Sequence, residues 1–97
     1  IPGWLLLSCL RSEDAVRERE DFAACCCAAQ NLMLFLWEQG IGTKWTTGEV
    51  TRHPRFFELA GLDPGREFTV GLFWYGYAAS VPETARRPGS ELLTRLP

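Results

Sequence analysis

The residues best suited to redox or metal chemistry are four cysteines, Cys9 and the unbroken run Cys25-Cys26-Cys27. A metal site needs several thiolates converging on one point. On a helix, adjacent side chains diverge by about 100°, so the three neighbours cannot close on a single ion. Their spacing is not that of a disulfide framework in a small secreted domain either. They read as small apolar helix residues held reduced, which places the protein in the cytoplasm. His53, immediately before Pro54, reads as an exposed turn residue, and Lys44 as a strand-end lysine facing water. No Ser-His-Asp set and no pair of carboxylates stands out as a catalytic centre. Arg86-Arg87 offers planar forks for phosphate oxygens or forms a solvated surface pair, and the residues alone leave both open.

Positioning any such group falls to a short series of elements. Trp4 to Leu10 is a continuous apolar run, suited to a strand buried on both faces. Ser12 then supplies an N-cap, with Glu13 and Asp14 as an acidic first turn. The helical pattern runs on to Gln39 and stops at Gly40, with Asp21 as a candidate bend. Its first half is charged, whereas from Phe22 to Trp37 only Gln30 and Asn31 are polar, so this half needs cover on every side. A membrane span needs about 20 unbroken apolar residues, and Gln30-Asn31 interrupts this one. At 1.5 Å per residue the helix reaches roughly 40 Å, more than so short a chain can wrap. Another copy, or a further N-terminal part, is expected to cover it.

Beyond the helix, Gly42 to Thr47 reads as a short strand ending at Gly48. Pro54 opens a second helix carrying Phe56, Phe57 and Leu59, which Gly61 closes. Asp63-Pro64-Gly65 is a turn. Phe68 to Tyr77 is a β-prone strand, with Gly71 and Gly76 where a close approach is needed. Ser80 to Pro97, with Pro82 and Pro88, reads as an extended arm. The order is strand, long helix, strand, short helix, strand, arm: an α+β layer fold, with a core over residues 1–79 and an arm over residues 80–97.

Composition narrows the function classes. Ninety-seven residues allow one core, and the 46% hydrophobic content argues against disorder. A formal charge of −2 with no basic stripe excludes an electrostatic footprint for nucleic acid. A soluble protein with a small-molecule or protein partner is left, and no membrane partner is expected.

Four stretches in order carry a resemblance. They are Ala28-Ala29-Gln30-Asn31-Leu32-Met33-Leu34, the Gly40-Ile41-Gly42-Thr43-Lys44-Trp45-Thr46-Thr47-Gly48 segment, Phe56 to Gly65, and Val70-Gly71-Leu72-Phe73-Trp74-Tyr75-Gly76-Tyr77, followed by Arg86-Arg87-Pro88. Together they resemble the nitroreductase family, whose central helix carries an AxQNLxL stretch followed by a GxGxxWxxG strand. The likeness runs over residues 20 to 90 and corresponds to the family's C-terminal part, a partial domain. Its N-terminal arginine-serine segment has no counterpart, and Ala78-Ala79 stands where the family usually has proline.

The resemblance implies a small, mainly antiparallel sheet packed on a long central helix, and FMN held at a homodimer interface. NAD(P)H would be the electron donor and nitroaromatics, quinones or similar small molecules the acceptors. Flavin carries such chemistry while the protein positions it, so a missing catalytic triad is no objection to an enzyme. By position, Trp45, Thr46 and Thr47 run beside the isoalloxazine, with the Thr47 backbone N–H toward N5 and Gly48 leaving room for a nicotinamide or acceptor. Arg86 would reach the FMN phosphate, with Arg87 as its neighbouring alternative. The competing reading is a non-catalytic oligomerisation module of the same fold, without flavin.

Overall fold

Helix α1 (Ala15–Glu38) and the sheet it lies on account for most of the helical and strand residues in the computed structural model, which describes residues 2–97. The helix runs for 24 residues with no break at Asp21. It starts two residues later than the Ser12 cap would place it, because the Asp14 carboxylate accepts from the Val16 and Arg17 N–H groups at 3.0 and 3.3 Å. An ionised acceptor holding two of the orphan donors outcompetes a hydroxyl. Ser12 instead braces the entry: its Oγ accepts from the Asp14 N–H, and its own N–H donates to the Glu18 carboxylate. The far end closes at Gly40, whose φ of 79° is the left-handed conformation that glycine adopts freely. There the Gly40 and Ile41 N–H groups donate back to the Trp37 and Leu36 carbonyls, each at 2.9 Å.

Strands β1 (Gly3–Leu10), β2 (Gly42–Thr46) and β3 (Glu67–Gly76) form one antiparallel sheet in the order β1-β3-β2. The longest strand, β3, is central and pairs with both others. Between β1 and β3 the register shifts at Leu7/Ser8, where Gly71 and Thr69 are the partners, so Val70 is the extra residue of a bulge. A 3-10 turn (Glu49–Arg52) and helix α2 (Pro54–Ala60) link β2 to β3. In α2, Pro54 occupies the first turn, the His53 imidazole Nδ1 accepts from the Arg55 N–H, and Gly61 ends the helix with a φ of 70°. His53 is thus a helix cap.

Cross-strand partners share a face. One face carries Leu5, Leu7 and Cys9 with Phe73, Gly71 and Phe68, and α1 lies on it, Phe22 meeting Phe68 with ring centroids 6.0 Å apart. The other carries Trp4, Leu6, Leu72, Trp74 and Thr46. The molecule is only 22 Å through its thinnest dimension, room for a helix layer and a sheet layer but no third. Among the described residues the buried apolar core is therefore small: Cys9, Ala29, Phe57, Val70 and Phe73.

The expectation that β1 is buried on both faces is not met: Trp4 is 53% exposed. β1 is an edge strand, and α1 covers only one of its faces. The apolar half of α1 also outruns its cover. Leu34, Phe35 and Trp37 all stand exposed, because one sheet can meet only one stripe of a helix that is apolar nearly all round.

Candidate functional site

The open face of the sheet forms the floor of an apolar cavity of about 940 Å³. Trp4, Leu6, Thr46, Leu72 and Trp74 make the floor; Gly48, Val50, Phe56, Leu59 and Ala60, from the 3-10 turn and α2, make the rim. Trp4 and Trp74 pack ring to ring at 4.7 Å, and the Lys44 ammonium lies 5.7 Å from the Trp74 ring centroid. The Trp74 indole Nε1 is buried without a hydrogen-bond partner among the described residues, as is the Thr69 hydroxyl. Nothing in the residue types marks this cavity directly. Its signal is the alternation of Trp4 with Leu6 and of Leu72 with Trp74, which becomes meaningful only once the strand register aligns them.

The segment Trp45-Thr46-Thr47-Gly48 splits across the sheet. Trp45 turns away from the cavity onto the helix-covered face, where its Nε1 donates to the Val70 carbonyl at 3.1 Å and its ring lies 5.2 Å from that of Phe73. Thr46 faces the cavity, its hydroxyl donating to the Leu72 carbonyl at 2.7 Å. Thr47 stands one residue past β2 and is exposed. Its carbonyl accepts from the Arg52 guanidinium at 2.7 Å, while its N–H donates to no group among the described residues.

Gly48 is locked differently. Its carbonyl accepts from both the N–H and the hydroxyl of buried Thr51, at 3.0 and 2.8 Å. Its φ of −61° suits any residue, so glycine is not required by the backbone. A Cβ at Gly48 would have no atom within 4 Å, which leaves open space above the corner. The result is a corner held through its carbonyls by Arg52 and Thr51, and the Thr47 N–H is one of the amide donors it leaves unpartnered among the described residues. A donor on a corner fixed through its neighbouring carbonyls meets an acceptor with little change of backbone.

Arg86 and Arg87 are exposed on the arm, form no ion pair among the described residues, and do not line the cavity. The structure thus brings Thr46, Thr47 and Gly48 together and leaves the two arginines apart from them. Among the described residues no group of three or more His, Cys, Asp or Glu side chains could hold a metal ion. No helix among them is long and apolar enough to cross a membrane.

This sheet, with its long helix on one face, is the α+β architecture of nitroreductase-like proteins. A nitroreductase-like family protein from Bacillus cereus aligns with a TM-score of 0.83 at 32% identity, over 96% of this chain and 50% of that one. A Desulfovibrio desulfuricans protein classed with the nitroreductases, solved in complex with FMN, aligns with a TM-score of 0.72 at 27% identity, over 97% and 54%. YfhC of Bacillus subtilis (strain 168), to which an NAD(P)H nitroreductase role is ascribed, is 32% identical over 87 residues, 90% of this chain and 44% of its own length. The nitroreductase family model matches residues 3–77, and the chain belongs to that family. It spans about half the length of the relatives it matches.

Proposed function

We propose that this chain supplies part of the flavin site of an FMN-dependent oxidoreductase that takes electrons from NAD(P)H. The observation that carries the reading is the corner at Thr47 and Gly48. A backbone donor without a partner sits next to a glycine that faces open space, in a chain whose family includes an FMN complex. FMN, when bound, supplies the capacity to accept and pass on a pair of electrons.

The residues fit the group in three respects. The Thr47 N–H is an unspent donor for a ring nitrogen, assigned here to N5. Gly48 keeps the space in front of that donor clear. Trp45 and Thr46 hold the strand behind it, through their bonds to the Val70 and Leu72 carbonyls. Arg86, with Arg87 beside it, is assigned to the FMN phosphate, where a guanidinium matches paired oxygens. The exposed arm carrying these arginines would settle onto the site when phosphate is present. The electron acceptors belong to the nitroaromatic, quinone or similar classes, and the working unit is a cytoplasmic homodimer whose partner covers the apolar half of α1.

Purified whole protein tests this by its colour. Flavin absorbance at one FMN per chain, and oxidation of NADH or NADPH that depends on an added acceptor, are the expected results. Colourless protein that takes up no FMN on titration would overturn the reading. It would leave the other one, a non-catalytic oligomerisation module, which the exposed Leu34, Phe35 and Trp37 on α1 favour.

A further inference from the structure

Two thiols stand on the facing surfaces of β1 and α1, Cys9 and Cys25, and neither has a part in the flavin site. Cys9, on β1, is 3% exposed and is the register partner of Phe68. The Phe68 ring packs against Phe22 of α1. Cys25 stands three residues beyond Phe22, and Ala29, with no exposed surface at all, four beyond Cys25. This spacing puts Phe22, Cys25 and Ala29 on one helix stripe, pressed onto the strand that carries Cys9. Cys25 thus faces the strand that carries Cys9 and helps to raise the pKa of the Cys9 thiol, whose Sγ donates to the Leu10 carbonyl at 3.5 Å. All four cysteines are free.

We propose that Cys9 and Cys25 are a redox-active pair, oxidised to an intramolecular disulfide that ties β1 to α1. Bridging needs two Cα atoms within roughly 4.4–6.8 Å, and the small side chains of Cys25 and Ala29 are the ones that α1 turns toward the sheet here. Cys27 is exposed and Cys26 points about 100° away from Cys25, so neither can take its place without turning the helix.

The oxidant is a low-molecular-weight disulfide such as oxidised glutathione. Half-buried Cys25 is the point of entry, because Cys9 is shielded and burial pushes its thiol up to about 11. The Cys25 thiolate attacks one sulfur of the oxidant. That S–S bond breaks, and the released sulfur takes up the proton that Cys25 gave. Cys9, once deprotonated, attacks the Cys25 sulfur of the mixed disulfide. The Cys9–Cys25 bond forms, and the second half of the oxidant leaves and takes the Cys9 proton. Two protein thiols have lost two electrons, and one small disulfide has become two thiols.

The test uses the whole protein, incubated with oxidised glutathione and then alkylated under denaturing conditions. Tryptic cleavage after Arg11 and Arg19 separates Cys9 from the three adjacent cysteines. The expected product has lost two of the four alkylatable thiols of residues 1–97 and yields one cross-linked peptide pair containing Cys9. The pair persists in a Cys26→Ser/Cys27→Ser variant and disappears in Cys25→Ser. The wild-type measurement stands alone should a variant fold poorly. Alkylation of all four thiols of residues 1–97, a lasting glutathione adduct at Cys25, or a cross-link between chains through Cys27 would each overturn the proposal.

Discussion

Gly71 on β3 lies directly beneath the indole of Trp45 on β2, so that a Cβ at position 71 would overlap the ring atoms Nε1 and Cδ1. The indole occupies the side-chain space that glycine leaves vacant, and from there Nε1 reaches the Val70 carbonyl at the bulge. One missing methyl group thus fixes the large side chain that precedes the Thr46-Thr47-Gly48 corner. Gly71→Ala should destabilise the protein by about 1–3 kcal/mol, the range for overpacking a tight site. In a Trp45→Ala background the same change should cost far less, since the clash is gone. Urea unfolding of the four proteins measures the coupling; equal penalties in both backgrounds would separate Gly71 from Trp45.

Much of this was legible in the residues, and the part that was not has a physical cause. Gly40, Pro54 and Gly61 announce helix ends because their backbone restrictions are local. The β-prone run after Asp63-Pro64-Gly65 announces β3 for the same reason. Gly71 could be marked for a close approach, but not for Trp45, because the neighbour lies across a strand register that no local pattern states. Ser12 and Asp14 compete for one cap, and only the geometry of the turn decides for Asp14. Trp4 to Leu10 reads as a doubly buried strand, yet it is an edge strand with one bare face. Hydrophobicity reports what a face seeks, not whether this stretch of chain supplies it. The cavity has no local sequence signature for the same reason: its floor and rim come from β1, β2, β3, the 3-10 turn and α2, far apart in sequence.

Cys9 should make stability fall in alkaline solution. Burial first, then the Cys25 thiol and the Asp21 and Glu18 carboxylates, raises the Cys9 pKa from 9.0 to about 11. Between those values the unfolded chain releases the thiol proton and the folded chain keeps it. The unfolded state then binds fewer protons, so the contribution is fully present below pH 9 and is lost as pH rises toward 11. The loss amounts to at most about 3 kcal/mol. Denaturant unfolding under reducing conditions should show this slope in wild type and a shallower one in Cys9→Ala. Identical slopes would mean that Cys9 ionises equally easily in both states.

Arg86 carries the assignment to the FMN phosphate. In the whole protein Arg86→Ala should weaken FMN binding by about 1.5–3 kcal/mol, the range for a hydrogen bond to a charged group. Arg87→Ala should matter less. Lysine at position 86 should restore only part of the loss, because it keeps the charge but not the planar fork. Flavin titration followed by fluorescence gives the affinities. An Arg86→Ala protein that binds FMN as wild type does would move the phosphate contact elsewhere.

The Thr47 amide is the sharpest point of the flavin reading. Its N–H has no partner among the described residues, while its carbonyl and that of Gly48 are tied to Arg52 and Thr51. If that donor meets flavin N5, the threonine side chain is dispensable, since every residue except proline supplies the same N–H. Thr47→Ala should therefore keep most of the affinity for FMN and most of the rate of flavin reduction by NAD(P)H. Thr47→Pro removes the donor and should slow reduction sharply, with a changed absorbance envelope of the bound flavin. Proline also restricts the residue before it, so Thr46 and the end of β2 could shift. A circular dichroism spectrum matching wild type, together with retained FMN, separates loss of the donor from loss of the strand. Arg52→Ala is the companion variant: it frees the Thr47 carbonyl without touching the amide and should produce a smaller version of the same defect. Stopped-flow reduction of all three decides the matter. An alanine variant as slow as the proline variant would make the hydroxyl the working group, and the amide assignment would fall.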